Sequence, residues 1–216
     1  NQDKLWPYFY KATAKTLGLG VAKCEADANG EVVKARIAAD MRNDFYARFL
    51  ERFPDLASLA PARESQVTAQ WRGLGYYARA RNLHKLARRV VREDAAIYGG
   101  ALPSAPSELR ALPGVGAYTA GAVASFAYEQ RAALVDTNVA RVLRRCFAPS
   151  LQPKRARDVK RLWAIAEAAL PRTGRAAWTH NQALMELGAL VCTARVAHCA
   201  RCPVRSLCTS ADEEFG

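Results

Sequence analysis

Four of the six cysteines lie close together near the end of this chain: Cys192, Cys199, Cys202 and Cys208. Clustered thiolates separated by small and polar residues are typical of a metal site rather than of a disulfide framework. They could hold one 4Fe-4S cluster or a tetrahedral zinc ion. Zinc ribbons more often pair two CxxC units, whereas this region has a single one. Cys24 and Cys146 lie outside the pattern, and we expect them to be ordinary buried thiols.

A carboxylate stands at the predicted start of a helix over residues 138–146. Asp136 comes two residues before Asn138, a position from which its side chain can cap the helix. The positive end of a helix also keeps a carboxylate ionised. Asp136 is therefore a candidate for a helix cap, for a catalytic anion, or for both.

Residues 107–128 predict two helices joined by the turn Leu112-Pro113-Gly114-Val115-Gly116, with Ser107 capping the first. The two glycines permit positive φ and remove Cβ atoms from the turn. Backbone N–H groups at the start of the second helix can then approach a phosphate, which holds DNA without reading its sequence. An ordinary turn between helices is the alternative.

The elements that must position these residues are helices, and the fold class is predicted to be all-α. Residues 78–91 place Leu83, Leu86, Ala87 and Val90 on one face at helical spacing. Further helices are predicted over 117–128, 138–146, 160–170 and 180–190, separated by prolines. Residues 11–45 are harder to interpret, with a turn at 27–30 and a helix resuming over about 31–53.

The formal net charge is +12, and a soluble protein with this excess usually binds a polyanion. No stretch approaches the ~20 apolar residues of a membrane span, so no membrane partner is expected. One basic run has no acidic residue before Glu93: Arg72, Arg79, Arg81, Lys85, Arg88, Arg89 and Arg92. Such a run is either a solvated helix face or a phosphate-binding surface.

Several of these segments together resemble the helix-hairpin-helix DNA glycosylase superfamily. The hairpin turn followed by the segment 135–142 (VDTNVARV) carries this resemblance, and the cysteine spacing looks like the 4Fe-4S loop of its endonuclease III and MutY branch. Residues 73–85 (GLGYYARARNLHK) and 180–189 are similar to MutY-type adenine DNA glycosylases. The resemblance covers roughly residues 45–208.

The resemblance implies a two-domain glycosylase fold with the DNA site in the cleft between the domains. The six-helix domain would comprise residues 23–130, with the helix-hairpin-helix at about 107–128. Residues 1–22 and 131–216 would form the cluster domain, whose basic loop carries Arg195, His198, Arg201 and Arg205 beside DNA. The C-terminal domain with which MutY proteins recognise 8-oxoguanine is expected to be absent, because the chain ends eight residues after Cys208.

The resemblance also implies roles for individual residues. Asp136 would be the catalytic carboxylate, Asn138 would orient the site, and Tyr118 would lie against the sugar. Bifunctional relatives carry a lysine where this chain has Tyr118, and a tyrosine cannot form a Schiff base, so the enzyme would be monofunctional. Counting back without gaps from Phe45 places the general acid at Glu31, although the residues after it lack the family's Gln-rich pattern.

The same resemblance implies a DNA-contact set: Leu112, Gly114, Val115, Gly116, Tyr118, Thr119, Arg79, Arg81 and Arg141. The cluster ligands would be Cys192, Cys199, Cys202 and Cys208. The expected partner is double-stranded DNA containing a mismatch or an oxidised base, bound by a monomer. A bacterial protein of this kind would lie in the cytoplasm with the nucleoid.

The function implied is hydrolytic removal of adenine mispaired with 8-oxoguanine or guanine in base excision repair. Two alternatives stay open. One is a short mismatch glycosylase that acts on thymine or another base, since Tyr118 also occurs in some thymine-mismatch enzymes. The other is a catalytically impaired DNA-binding protein that keeps the hairpin and the cluster.

Overall fold

The computed structural model describes residues 41–211, which are helical throughout most of their length. The first helices are α1 (Met41–Arg52), α2 (Leu56–Leu59), α3 (Glu64–Ala69), α4 (Tyr77–Arg88) and α5 (Ala95–Tyr98), with a π-helical turn at Arg89–Glu93. They are followed by α6 (Pro106–Arg110), α7 (Ala117–Tyr128), α8 (Thr137–Phe147), α9 (Ala156–Ala169) and α10 (Gly174–Glu186). A π-helical segment at Leu187–Val191 and two 3-10 turns, Cys199–Arg201 and Arg205–Leu207, complete the set.

The predicted all-α class is confirmed over this part of the chain. Within residues 41–211, the pairing of extended backbone is limited to an isolated bridge between Cys192 and Ala197. None of the described helices is long and apolar enough to cross a membrane.

Most predicted helices form, but their ends differ from the sequence expectation. Helix α7 has the bounds that the pattern predicted, and α8 extends one residue further at each end. Helix α6 begins at Pro106, so the prediction that Ser107 caps it is wrong; proline suits the first position because its missing N–H has no helical partner there. Helix α10 begins at Gly174, where Thr173 caps it by accepting a hydrogen bond from the Ala176 N–H.

Of the described residues, 41–103 and 111–114 form one compact unit, and 104–110 and 115–211 form a second. The predicted assignment of the first 40 residues to domains lies outside the described residues, and the expected division at residue 130 stays a prediction. In the first unit, the apolar face of α4 is buried as expected: Leu83, Leu86, Ala87 and Val90. Burial of this face leaves Arg81 and Lys85 of α4 in solvent.

The second unit is built on α7, whose small residues allow close packing. Asn181 of α10 is buried, and its Nδ2 donates to Ser125 Oγ of α7 and to the Ala132 carbonyl, both at 2.9 Å. A buried amide with two partners specifies one arrangement, because losing either partner would leave a polar group unsatisfied. This contact fixes the segment that leads from α7 to Asp136.

Candidate active site and cysteine pocket

Asp136 is the N-cap residue of α8. Its extended backbone brings Oδ1 to 2.7 Å from the Val139 N–H, which donates to it. The side chain is half-buried at the helix end. The predicted cap is therefore confirmed.

Tyr118 lies in the first turn of α7, and Asp136 influences it electrostatically. Burial raises the pKa of the Tyr118 hydroxyl well above its ordinary value, and the Asp136 carboxylate adds to the effect. Tyr118 is consequently a neutral phenol at physiological pH. The structure thus brings together the carboxylate and the phenol that sequence reasoning selected.

Asn138 is held by Arg141 one helical turn further along α8. Arg141 donates from Nη2 to Asn138 Oδ1 at 2.9 Å and to the Gly188 carbonyl, and from Nε to the Cys192 carbonyl at 2.8 Å. These donors are used inside the second unit, whereas sequence reasoning assigned Arg141 to DNA contact. A phosphate contact by Arg141 stays a prediction.

Gly188 permits α8 to approach the Leu187–Val191 segment closely, and Arg141 bonds across this contact. A Cβ atom at this position would lie 2.8 Å from the Cβ of Asn138 and 3.0 Å from its carbonyl oxygen. Any larger residue would push α8 away from the π-helical segment at Leu187–Val191. Sequence reasoning did not assign Gly188 a role, although an isolated glycine in a helical pattern signals such an approach.

In the hairpin turn, only one of the two glycines adopts the predicted positive φ. Gly114 has φ of +74°, and a Cβ there would lie 2.6 Å from Asn82 Cβ, whereas Gly116 has φ of −83° as the N-cap of α7. The side chains of Leu112 and Val115 are buried. These two residues can therefore offer DNA little besides their backbone groups.

The basic run of α4 is divided between solvent and internal contacts. Arg81 is exposed and Arg79 is half-buried, and burial lowers the pKa of Arg79. Arg89 pairs with Asp94, Nε to Oδ2 at 2.7 Å, and donates from Nη1 to the Ala111 carbonyl at 3.0 Å. Arg89 therefore ties the entrance of the hairpin turn to the end of α4, while Arg81 faces solvent.

The four clustered cysteines surround one cavity, which we call the cysteine pocket. All four line this pocket of about 400 Å³, a volume that includes its part open to solvent. Each of the four is half-buried and none is in a disulfide. Among the described residues, no three His, Cys, Asp or Glu side chains converge as ligands of a single metal ion would.

Cys146 also lines the cysteine pocket, which the sequence did not indicate. It is buried, as expected, but at the end of α8 facing the other cysteines. Burial, reinforced by the nearby Cys208, raises the pKa of the Cys146 thiol to about 12. Cys24 and Glu31 lie outside the described residues.

Comparisons with known proteins agree with this arrangement. The family model described as HhH-GPD superfamily base excision DNA repair protein matches residues 30–167. The adenine DNA glycosylase of Mus musculus is 44% identical over 168 residues, which are 76% of this chain and 31% of that protein. The chain thus spans about a third of the length of this relative.

Two solved structures are also similar. A thermostable thymine-DNA glycosylase is 30% identical, with a TM-score of 0.69 over 79% of this chain and 76% of the other. Endonuclease III trapped covalently with DNA is 24% identical, with a TM-score of 0.65 over 98% of this chain and 97% of the other. At 24% identity, the similarity to endonuclease III shows that the fold is shared and nothing more.

Proposed function

Because the chain belongs to the HhH-GPD superfamily of base excision DNA repair proteins, we propose that it is a DNA glycosylase that removes adenine mispaired with 8-oxoguanine or guanine. The observation that carries the proposal is the placement of Asp136 at the N-terminus of α8, where it interacts electrostatically with the half-buried phenol of Tyr118. The similarity to adenine DNA glycosylases supports the choice of base.

Asp136 acts on the sugar. When the N-glycosidic bond breaks, positive charge develops on the sugar ring, and a fixed carboxylate stabilises that charge. The hydrogen bond from the Val139 N–H fixes the orientation of the carboxylate before the substrate arrives. Such preorganisation costs no rearrangement during the reaction.

Hydrolysis is the expected outcome because Tyr118 offers no amine. A lysine could attack the sugar and form a Schiff base, whereas a neutral phenol can only donate or accept a hydrogen bond. The raised pKa of Tyr118 keeps it in this neutral form. Water therefore completes the reaction and leaves an abasic site in an intact strand.

The general acid for adenine is assigned to Glu31, which lies outside the described residues. Adenine is a poor leaving group unless it is protonated, and a positioned carboxylic acid typically contributes ~10²–10⁴-fold. The target base must first be extruded from the duplex at a cost of a few kcal/mol. This assignment stays a prediction from the spacing of the sequence.

DNA is held by the hairpin backbone and by exposed basic side chains. The N-terminus of α7 presents backbone N–H groups suited to a phosphate. Arg81 on α4 adds a cationic side chain in solvent. Further exposed basic residues surround the cysteine pocket: Arg195, His198, Arg201 and Arg205. We propose that the protein binds as a monomer and, if bacterial, acts at the nucleoid.

The cysteine pocket fits a 4Fe-4S cluster. Five thiols border one cavity, four of them from the clustered cysteines and the fifth from Cys146. The buried Ser210 hydroxyl, which also lines it, has no hydrogen-bond partner among the described residues. Cys192, Cys199, Cys202 and Cys208 would hold the cluster, whose contribution when bound is to fold the basic loop around it. The cluster is not a reactant in the excision step, which the catalytic residues carry out themselves.

A second candidate function is removal of thymine from a G·T mispair. The thymine-DNA glycosylase structure is matched over about three quarters of its own length, and Tyr118 suits that chemistry equally well. The base specificity is therefore the point that an experiment must decide.

The test compares single-turnover excision from duplexes containing A opposite 8-oxoguanine, A opposite G, and T opposite G. We expect adenine release, with strand cleavage only after alkali. Faster release of thymine would establish the second candidate. Tight DNA binding without excision from any duplex would identify an impaired DNA-binding protein.

A further inference from the structure

Arg145 is a buried cation in the wall of the cysteine pocket. Only 6% of its surface is exposed, and it lies near the end of α8. Its Nη1 donates to Cys192 Sγ at 3.3 Å and to the Thr193 carbonyl at 2.8 Å. A buried guanidinium is stabilised by directed hydrogen bonds, and this one directs a donor at the sulfur of Cys192.

Ser210 is the second polar group in the same wall. Its side chain is 1% exposed, and its hydroxyl has no hydrogen-bond partner among the described residues. Buried hydroxyls are nearly always satisfied, so a partner belonging to the contents of the pocket is indicated. The neighbouring Thr209 differs, because its hydroxyl donates to the Arg145 and Cys146 carbonyls, both at 3.1 Å, and does not line the pocket.

We propose that Arg145 and Ser210 form a donor pair that raises the reduction potential of a cluster held in the cysteine pocket. This inference rests on the proposed 4Fe-4S cofactor. Arg145 donates a hydrogen bond to the sulfur of Cys192, and Ser210, two residues after Cys208, would donate its unpaired hydroxyl to a sulfur of the bound cluster. Both are positioning residues, because neither is among the four thiols that bind iron.

The direction of the effect follows from electrostatics. Hydrogen bonds to sulfur, and a nearby positive charge, stabilise the more electron-rich state of a cluster and thus raise its potential. Removing either donor lowers the potential and makes the cluster easier to oxidise. The donor pair therefore protects the cluster against the one-electron oxidation that precedes iron loss.

The experiment measures the reduction potential by voltammetry and the oxidation of the purified holoprotein by ferricyanide. Ferricyanide removes one electron from the 2+ cluster, and the resulting 3+ cluster releases Fe²⁺ to leave a 3Fe-4S⁺ product detectable by electron paramagnetic resonance. We expect Ser210→Ala to raise the equilibrium constant for oxidation of the cluster about threefold. Arg145→Gln should raise it about tenfold, which corresponds to a reduction potential lower by about 59 mV for a one-electron couple. Arg145→Lys keeps the positive charge but loses the planar guanidinium with its fixed donors. Its reduction potential should therefore lie between those of the wild type and Arg145→Gln.

Two matched variants control for unrelated effects. Thr209→Val removes an adjacent hydroxyl that bonds to backbone, and Arg144→Gln removes an adjacent charge of α8 that does not line the pocket. Both should leave the potential unchanged even where they lower stability. We expect Ser210→Ala to fold. If Arg145→Gln does not fold, the Ser210→Ala variant still tests the proposal.

Iron content separates failure of this inference from failure of the cofactor proposal. Protein with about four irons per chain, whose Ser210→Ala and Arg145→Lys variants oxidise like the wild type, would overturn the donor pair alone. Protein that lacks iron, or binds stoichiometric zinc after anaerobic purification, would overturn the cofactor and the donor pair together.

Discussion

Arg141 is joined to Cys192 by a hydrogen bond of 2.8 Å from its Nε to the backbone carbonyl oxygen. The same guanidinium holds Asn138 at 2.9 Å. One side chain therefore connects the segment of residues 192–208, which we call the cysteine loop, to the start of the helix that Asp136 caps. The position of the cysteine loop and the orientation of the candidate active site are therefore linked by geometry.

Replacing Arg141 with lysine should impair both the fold and the site. Lysine keeps the charge but cannot reach Asn138 and the Cys192 carbonyl together with its single ammonium group. We expect the free energy of unfolding to fall by about 2 kcal/mol, the order of one hydrogen bond to a charged group. Arg144→Lys on the same helix is the control, and thermal melts with excision assays measure both effects. An Arg141→Lys protein as stable and active as the control would show that the bridge is dispensable.

Tyr118 should resist ionisation at alkaline pH. Its folded pKa lies above the value in the unfolded chain, so the folded state retains a proton that the unfolded state releases. The stabilising contribution is present below pH about 10 and is lost as pH rises further. Stability of the wild type should therefore decline more steeply above that pH than stability of Tyr118→Phe. Ultraviolet titration should give the same tyrosinate signal for both proteins near pH 10, and a missing tyrosinate in Tyr118→Phe would contradict the assignment.

Cys146 and Cys199 both line the cysteine pocket but should differ in function. Cys199→Ser should lose the cluster and its visible absorbance, because one of four iron ligands is removed. Cys146→Ser should keep about four irons per chain, since Cys146 belongs to α8 and lies outside the segment whose four cysteines suffice for one cluster. Iron and sulfide analysis decides the matter. Loss of iron from Cys146→Ser would place a ligand outside the predicted set.

Arg81 should contribute a sequence-independent part of DNA affinity. Each phosphate contact releases counterions, so Arg81→Gln should make the log–log slope of affinity against salt shallower by about 0.9. Arg161→Gln removes a charge on α9 that is also exposed, and it is the control. Fluorescence anisotropy at several salt concentrations gives both slopes. Equal slopes for the two variants would remove Arg81 from the DNA surface.

Sequence patterns predicted the helices of the core better than the contacts of the site. The apolar face of α4 follows from the spacing of its apolar residues, and α7 follows from its content of small residues, because both helices bury those side chains. The contacts of Arg141 and Arg145 with the segment around Gly188 and Cys192 could not be predicted in this way, since these partners lie 47 to 51 residues further along the chain. A signal was nevertheless present: Arg145 interrupts the buried face of α8 that Val142 and Cys146 occupy, and a charged residue there needs a partner.

Asp136→Asn is the variant that tests the central claim most directly. Asparagine also caps helices, so α8 should stay intact, but a neutral amide cannot stabilise a cationic sugar. Asp55→Asn is the matched control, because Asp55 caps α2 through a hydrogen bond from the Ser58 N–H of the same 2.7 Å length.

The measurement is the single-turnover rate of adenine release from a duplex with A opposite 8-oxoguanine, with DNA binding followed in parallel. We predict that Asp136→Asn lowers the rate by ~10²–10³ or more while DNA affinity is kept, and that Asp55→Asn matches the wild type. An Asp136→Asn protein that releases adenine as fast as Asp55→Asn would contradict the assignment of the catalytic carboxylate.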